Sequence, residues 1–115
     1  MQNEILLVAE SVSGEKGLSK DIIFEAIESA LATATKRRYS EPSNILVNID
    51  QSTGEYETFR FWEVVEEEEF EDPGMHLLLE EAKGKDPSLE LGSRIKEKIE
   101  NKMEMEMIMI IYYII

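Results

Sequence analysis

Three consecutive basic residues, Lys36-Arg37-Arg38, are the side chains of this sequence best suited to binding chemistry. The chain of 115 residues carries 25 acidic and 12 basic side chains, so its formal net charge is −13. Ammonium and guanidinium groups bind phosphates and carboxylates. The cluster therefore predicts contact with a phosphate backbone or with an acidic protein surface. A structural role also fits, because bases at the C-terminal end of a helix stabilise it by roughly 0.3–1 kcal/mol each.

The acidic run from Glu66 to Asp72 is the second charged feature of the sequence. Adjacent like charges repel one another, so we expect a solvated loop or edge there. The functional alternative is docking to a basic partner surface. The salt dependence of binding would distinguish the two, because salt screens exposed charge contacts.

Aromatic residues cluster in one predicted strand, at Phe59, Phe61 and Trp62. Rings of this kind can stack on the bases of a nucleic acid. Because glutamates surround them, we expect these three rings to pack in the protein core instead. Tyr39 is expected to anchor the end of the preceding helix.

The sequence offers little for catalysis or for metal binding. His76 is the only histidine and there are no cysteines, which disfavours a zinc site. No nucleophile stands with a plausible base, and the glycines form no phosphate-binding motif. We therefore predict a binding protein that is not an enzyme and has no metal or cofactor.

Length and composition predict a single folded domain. A net charge of −13 disfavours nucleic-acid binding over the whole surface, because phosphate binding depends on Lys and Arg, although it leaves room for a local basic patch. The N-terminus lacks the basic segment of a signal peptide, and no apolar run approaches the ~20 residues that span a bilayer. These features predict a cytoplasmic protein without a membrane partner.

The basic cluster lies at the end of a long predicted helix, from Ser19 to Tyr39. Apolar residues recur at helical spacing, which is typical of an amphipathic helix. They are Ile22, Ile23, Ala26, Ile27, Ala30, Leu31 and Ala34. Ser19 is the predicted N-cap, and Pro42 limits the helix to about Glu41.

A shorter helix is predicted over Asn3 to Ser13, with Asn3 as its N-cap. Its apolar stripe consists of Ile5, Val8, Ala9 and Val12. Gly14 and Gly17 are expected to break this helix. Two helices joined by so short a loop usually pack antiparallel.

After Pro42 the apolar period changes to two, which indicates strands. We predict a β-hairpin, with a first strand around Ile45 to Ile49, a turn ending at Gly54 and a second strand from Tyr56 to Val65. A short strand from Met75 follows. A helical turn at Leu79 to Lys83, ended by Gly84, and a last strand over Arg94 to Glu100 complete the prediction.

The C-terminal segment, Lys102 to Ile115, is unusual. Methionines alternate with glutamates and then give way to IMIIYYII. Such a branched, uncharged run promotes aggregation unless it is buried. We expect burial against the domain's own helices or self-association through residues 103–115, as a helix or as a strand.

Several segments resemble the N-terminal domain of NusA, the bacterial transcription elongation and termination factor. They are NEILLVAESVSGEKGLSKDIIFEAIESALATATKRRY, the hairpin NILVNIDQSTGEYETFRFWEVVEE, and HLLLEEAKGKDPSLELGSRIKEKIE. The resemblance covers about residues 1–100. It implies an α+β fold in which two N-terminal helices pack with a β-hairpin, a short helix and a further strand.

The resemblance also implies a function. It implies a non-catalytic domain that binds RNA polymerase at the flap-tip helix, near the RNA exit channel, and modulates pausing, termination and antitermination. The C-terminal domain of the polymerase α subunit is a further candidate partner for the acidic run. For Lys36, Arg37 and Arg38, the resemblance implies contact with polymerase or weak contact with nascent RNA. We expect docking through an exposed apolar strip on the long helix, bordered by charge.

The resemblance ends near Asn101. We therefore predict a polymerase-binding domain over residues 1–101 and an atypical apolar tail, 102–115, in place of the long helix that the family has there. The family's S1 and KH modules would follow this domain. The alternative is a truncated or free-standing protein–protein adaptor without pausing activity, and retention by polymerase in a pull-down would separate the two.

Overall fold

The computed structural model describes residues 4–101, which form an α+β fold as predicted. The helices are α1 (Glu4–Lys16), α2 (Lys20–Lys36) and α3 (Leu79–Lys85), and a 3-10 helix covers Glu67–Glu69. The strands are β1 (Asn44–Ile49), β2 (Tyr56–Val65), β3 (His76–Leu78) and β4 (Arg94–Ile99). The predicted cap at Asn3 and the predictions for the tail, 102–115, lie outside the described residues.

Strand β2 is the centre of the sheet. Strand β1 runs antiparallel to it, with Ile45 opposite Arg60, and β4 runs antiparallel along its other edge, with Glu97 opposite Arg60. Strand β3 pairs in parallel with the last three residues of β2. Because side chains alternate along a strand, the even-numbered residues of β2 define one face of the sheet, which we call the helical face. The odd-numbered residues define the other, which we call the open face.

The core lies between the helical face and the first two helices. Its buried apolar residues are Ile5, Ala9, Val12, Ile23, Phe24, Ile27, Leu31, Ile45 and Val47. Burial of each large aliphatic side chain contributes roughly 1.5–3 kcal/mol. One polar contact fixes the helices on the sheet, because the Glu28 carboxylate accepts a hydrogen bond from the Ile49 backbone N–H at 2.9 Å.

Helix α1 is longer than its glycines suggested. It continues through Gly14 to Lys16, and the chain turns only at Gly17, whose φ is +66°. A glycine inside a helix costs about 1 kcal/mol relative to alanine, which packing against α2 can offset. In the same way α3 continues through Gly84 to Lys85.

Helix α2 begins as predicted but buries a slightly different stripe. The Ser19 hydroxyl accepts from the Ile22 N–H, which confirms the N-cap, and the helix ends at Lys36, before the predicted limit. Ile22 is 54% exposed, whereas Phe24 and Thr35 are buried. Thr35 is compatible with burial because its hydroxyl donates to the Leu31 carbonyl oxygen at 2.7 Å.

The aromatic residues of β2 are not part of the buried core, so that prediction was wrong. Phe59, Phe61 and Trp62 are all half-buried. The reason lies in the alternation of the strand, which places the two phenylalanines on the open face and Trp62 beyond the part of the helical face that α1 and α2 cover. None of the helices within residues 4–101 has the length and apolar content needed to cross a membrane.

Candidate functional site

The basic cluster Lys36-Arg37-Arg38 lies where α2 ends, and all three side chains are exposed. The backbone stays ordered beyond the last helical residue. The Arg38 N–H donates to the Thr35 carbonyl oxygen at 3.0 Å, and the Tyr39 N–H donates to that of Lys36 at 3.1 Å. These are bonds of the 3-10 type, which often tighten the last turn of a helix. The helix therefore holds the cluster in a fixed position.

Arg38 connects this cluster to the end of strand β4. Its Nη1 atom donates to the Glu100 carbonyl oxygen at 3.1 Å. Strand β4 carries a second row of exposed bases, Arg94, Lys96 and Lys98. The fold thus brings together two basic segments that are almost sixty residues apart in sequence. We did not predict the second row as a binding site. Its signal in the sequence is a basic residue at every second position of RIKEKI, the sequence of β4.

The charges of the cluster remain available to a partner. Within residues 4–101 the side chains of Lys36 and Arg37 make no hydrogen bond and no ion pair, and Arg38 contacts only a backbone carbonyl oxygen with its guanidinium. No acidic side chain in this part of the protein therefore pairs with the three positive charges. The arrangement suits electrostatic binding of phosphates or carboxylates.

Tyr56 lies beside the cluster, and we expect it to make stability pH-dependent. Burial raises the pKa of Tyr56 above its usual value of 10.0, and the nearby Arg38 charge partly opposes this rise. A raised pKa means that the fold favours the neutral phenol. The contribution of the neutral phenol to the free energy of unfolding is complete below pH 10 and is lost as the pH rises through the folded-state pKa. Urea unfolding at pH 9 and pH 11 should show a larger loss of stability for the native chain than for Tyr56→Phe. Equal losses would contradict this assignment.

A buried arginine holds together the segments that flank the cluster. Arg60 is 9% exposed, and its guanidinium lies between the Tyr39 and Trp62 rings, at 4.5 and 4.7 Å from their centroids. Its Nη2 atom donates to the Glu41 carboxylate at 2.8 Å and to the Gly74 carbonyl oxygen at 3.1 Å. We call these five residues the Arg60 clamp. Tyr39 thereby anchors the chain just after α2, as predicted.

The glutamates of the acidic run are solvated, as expected, whereas Asp72 at its end is half-buried. Glu66 and the 3-10 helix Glu67–Glu69 are exposed, and no ion pair within residues 4–101 involves them. The Nδ1 atom of His76 accepts a hydrogen bond from the Glu71 backbone N–H at 3.1 Å, so this histidine holds the C-terminal end of the run. The run is available for contact with a basic surface but has no built site.

Comparisons with known proteins agree with the fold. Residues 4–111 match the family model described as the NusA N-terminal domain. The solution structure of the N-terminal domain of NusA from B. subtilis is similar to this chain with a TM-score of 0.65 and 28% identity. The similarity covers 98% of this chain and 93% of that one.

Two full-length relatives carry the name transcription termination/antitermination protein NusA. The protein from Halalkalibacterium halodurans is 33% identical over 102 residues, which are 89% of this chain and 26% of the relative. The protein from Rickettsia prowazekii is 36% identical over 94 residues, which are 82% of this chain and 18% of the relative. The chain thus spans about a quarter or less of the length of these relatives. Because the family model matches most of this chain, the chain belongs to the NusA N-terminal domain family.

Proposed function

We propose that this domain binds RNA polymerase near the RNA exit channel and modulates pausing, termination and antitermination without catalysing a reaction. The proposal builds on family membership and on the name of the full-length relatives, which assigns them to transcription termination and antitermination. Residues 1–101 are the proposed binding domain. Action on polymerase implies a place in the bacterial cytoplasm.

The observation that carries this proposal is the exposed basic cluster Lys36-Arg37-Arg38 at the end of α2. The three charges point to a phosphate or carboxylate partner, because none of them has an acidic partner within residues 4–101. Nascent RNA leaving the polymerase and an acidic patch on the polymerase itself both meet this requirement. The overall charge of −13 restricts such contact to a small part of the surface.

Apolar docking is the second element of the proposal. Leu7 on α1 and Ile22 on α2 are 44% and 54% exposed, so the helices keep large apolar side chains outside their own core. Burial of such side chains in an interface is favourable. The flap-tip helix of polymerase is the proposed partner for this side of the domain, and the C-terminal domain of the α subunit is the proposed partner for the acidic run.

Changing Lys36, Arg37 and Arg38 together to alanine is expected to shorten polymerase pauses. Exposed charge contacts contribute roughly 0.2–1 kcal/mol each, so the three should weaken the contact by about 1–2 kcal/mol in total. Pause lifetimes on a template with a hairpin-stabilised pause measure the effect. A matched control changes three other exposed lysines, Lys16, Lys20 and Lys83, and leaves the net charge equal to that of the triple variant.

A pull-down with core polymerase tests the wider proposal. Retention of the chain supports docking, and loss of retention favours the alternative of a protein–protein adaptor without pausing activity. Unchanged pause lifetimes in the triple variant, together with normal retention, would remove the role of the basic cluster. If the triple variant and its control shorten pauses equally, the effect depends on the overall charge of the domain and not on the position of the cluster.

A further inference from the structure

Within residues 4–101, helices α1 and α2 do not pack on the open face of the sheet. Helices α1 and α2 pack on the helical face. The end of α3, at Lys85, lines a cavity of about 330 Å³ together with Trp62 and Ile95, which also belong to the helical face. On the open face, within residues 4–101, Val65 is buried, whereas Leu46, Phe59 and Phe61 are half-buried.

Two phenylalanines lie at the centre of the open face. Phe59 and Phe61 are half-buried, so part of each ring is accessible. Strand β4 places Lys98 opposite Phe59 and Lys96 opposite Phe61. The guanidinium carbon of Arg94 lies 4.5 Å from the Phe61 ring centroid. The Phe61 ring thus already stacks with a flat group.

The basic residues of this face form a regular row. Arg94, Lys96 and Lys98 occupy alternate positions of β4, so they repeat at about 6.6 Å along the strand. Arg38 bonds to Glu100 just beyond this row, so the row continues towards the basic cluster of α2. Lysine on an edge strand also deters edge-to-edge aggregation, but that role requires no aromatic residues beside it.

We propose that the open face binds single-stranded RNA. Bases stack on Phe59 and Phe61, and phosphates contact the row of Arg94, Lys96 and Lys98. A sheet with helices on one side and exposed aromatic residues on a central strand is the arrangement with which RNA-recognition modules stack bases. This inference adds a second RNA-binding surface to the one proposed at the end of α2, and it does not require polymerase.

The acids on the same face limit the strength of this binding. Glu57 pairs with Lys98 at 3.6 Å, and both side chains are more than half exposed. Such a pair is weak enough for a phosphate to replace its carboxylate. Glu63 lies opposite Arg94. We therefore expect modest affinity with a strong salt dependence, and the two half-buried rings beside the basic row favour RNA over an acidic peptide as the occupant.

Fluorescence anisotropy of the full chain with a labelled single-stranded RNA of about 12 nucleotides at low salt tests the proposal. We expect Phe59→Leu to weaken binding by about fivefold or more, because one base loses its stacking partner. Lys96→Gln should reduce the slope of log affinity against log salt by about 0.7. Phe61→Leu is a second variant, used if circular dichroism shows that Phe59→Leu disturbs the fold.

Matched controls lie outside the strands β1, β2 and β4. Phe70→Leu removes another half-buried aromatic ring, and Lys83→Gln removes another exposed lysine; both should bind RNA like the native chain. Absence of RNA binding at low salt, or native affinity in the phenylalanine variants and in Lys96→Gln, would overturn the proposal. Displacement of the RNA by a glutamate-rich peptide as efficiently as by unlabelled RNA would also overturn it.

This experiment is independent of the polymerase assay. The chain with Lys36, Arg37 and Arg38 changed to alanine should still lose RNA affinity when Phe59 is changed to leucine. If polymerase retention fails while this dependence persists, the polymerase proposal is wrong and the open face is still an RNA-binding surface. If polymerase retains the chain but Phe59→Leu does not change RNA affinity, the polymerase proposal stands and the open face is not an RNA-binding surface.

Discussion

Replacing Arg60 by alanine is expected to lower the free energy of unfolding by about 2–4 kcal/mol. The change removes two cation–π contacts, to Tyr39 and Trp62, and two hydrogen bonds, to Glu41 and the Gly74 carbonyl oxygen. Glu41 is 52% exposed in its side chain, so water can solvate its carboxylate once the arginine is gone. The loss should therefore fall below the upper end of the range for a broken buried ion pair.

Trp62 makes this prediction convenient to measure. It is the only tryptophan of the chain and lies against the Arg60 guanidinium, so urea unfolding can be followed by its fluorescence and by circular dichroism. Arg60→Lys should show a smaller loss than Arg60→Ala, because lysine keeps the charge but has no planar group to stack between two rings. Arg94→Ala is the control, since it removes an exposed arginine over a single ring. A loss below about 0.5 kcal/mol in Arg60→Ala would exclude a stabilising role for the clamp.

Local signals were sufficient to predict most of the elements. The spacing of Ile23, Ile27 and Leu31 located α2, and the change to alternation at Ile45 and Val47 located the hairpin. The Ser19 cap was also predictable, because it depends on residues within one turn. Helix ends were less predictable where glycine was involved. Gly14 and Gly84 remain inside helices because a glycine weakens a helix without forcing it to end.

The Arg60 clamp could not be predicted from local patterns. Arg60 is the one base between Glu55 and Asp72, a strongly acidic stretch. Its partners come from positions 19 residues before it and 14 residues after it, and only the paired strands bring them together. The available clue was strand alternation, because Arg60 lies on the same side of β2 as Thr58 and Val64, which are both buried. A buried arginine requires a carboxylate or aromatic partner, and that requirement would have prompted a search for Glu41.

The candidate binding surface was only partly predictable for a similar reason. The basic cluster at Lys36-Arg37-Arg38 is contiguous in sequence and was recognised. The basic row of β4 becomes part of the same region through one bond from Arg38 to Glu100 and through the register of β4 on β2. The register also decides which aromatic rings face the solvent. Sequence alternation alone cannot tell which face of a sheet the helices will cover.

Gly74→Ala is expected to lower the free energy of unfolding by about 2–3 kcal/mol. A Cβ atom at this position would overlap the Pro42 carbonyl oxygen, and it would lie 3.0 Å from Asp72 Oδ1 and 3.3 Å from Arg60 Nη2. The first of these is a backbone atom, which cannot rotate away as the end of a side chain can. The new methyl group therefore has to move the segment around Pro42 or the loop at Gly74, and either movement lengthens the hydrogen bond from Arg60 to the Gly74 carbonyl oxygen.

Gly84→Ala provides the matched control, because a Cβ atom there meets no heavy atom within 4 Å. Gly84 lies inside α3, so alanine should stabilise the chain by about 0.5–1 kcal/mol through the lower entropy of the unfolded state and better helix propensity. Urea midpoints of the two variants should therefore move in opposite directions. A combined Gly74→Ala and Arg60→Ala variant should lose less than the sum of the two single losses, because both changes break the same contact. Strict additivity would mean that Gly74 acts independently of the clamp, through the Pro42 segment alone.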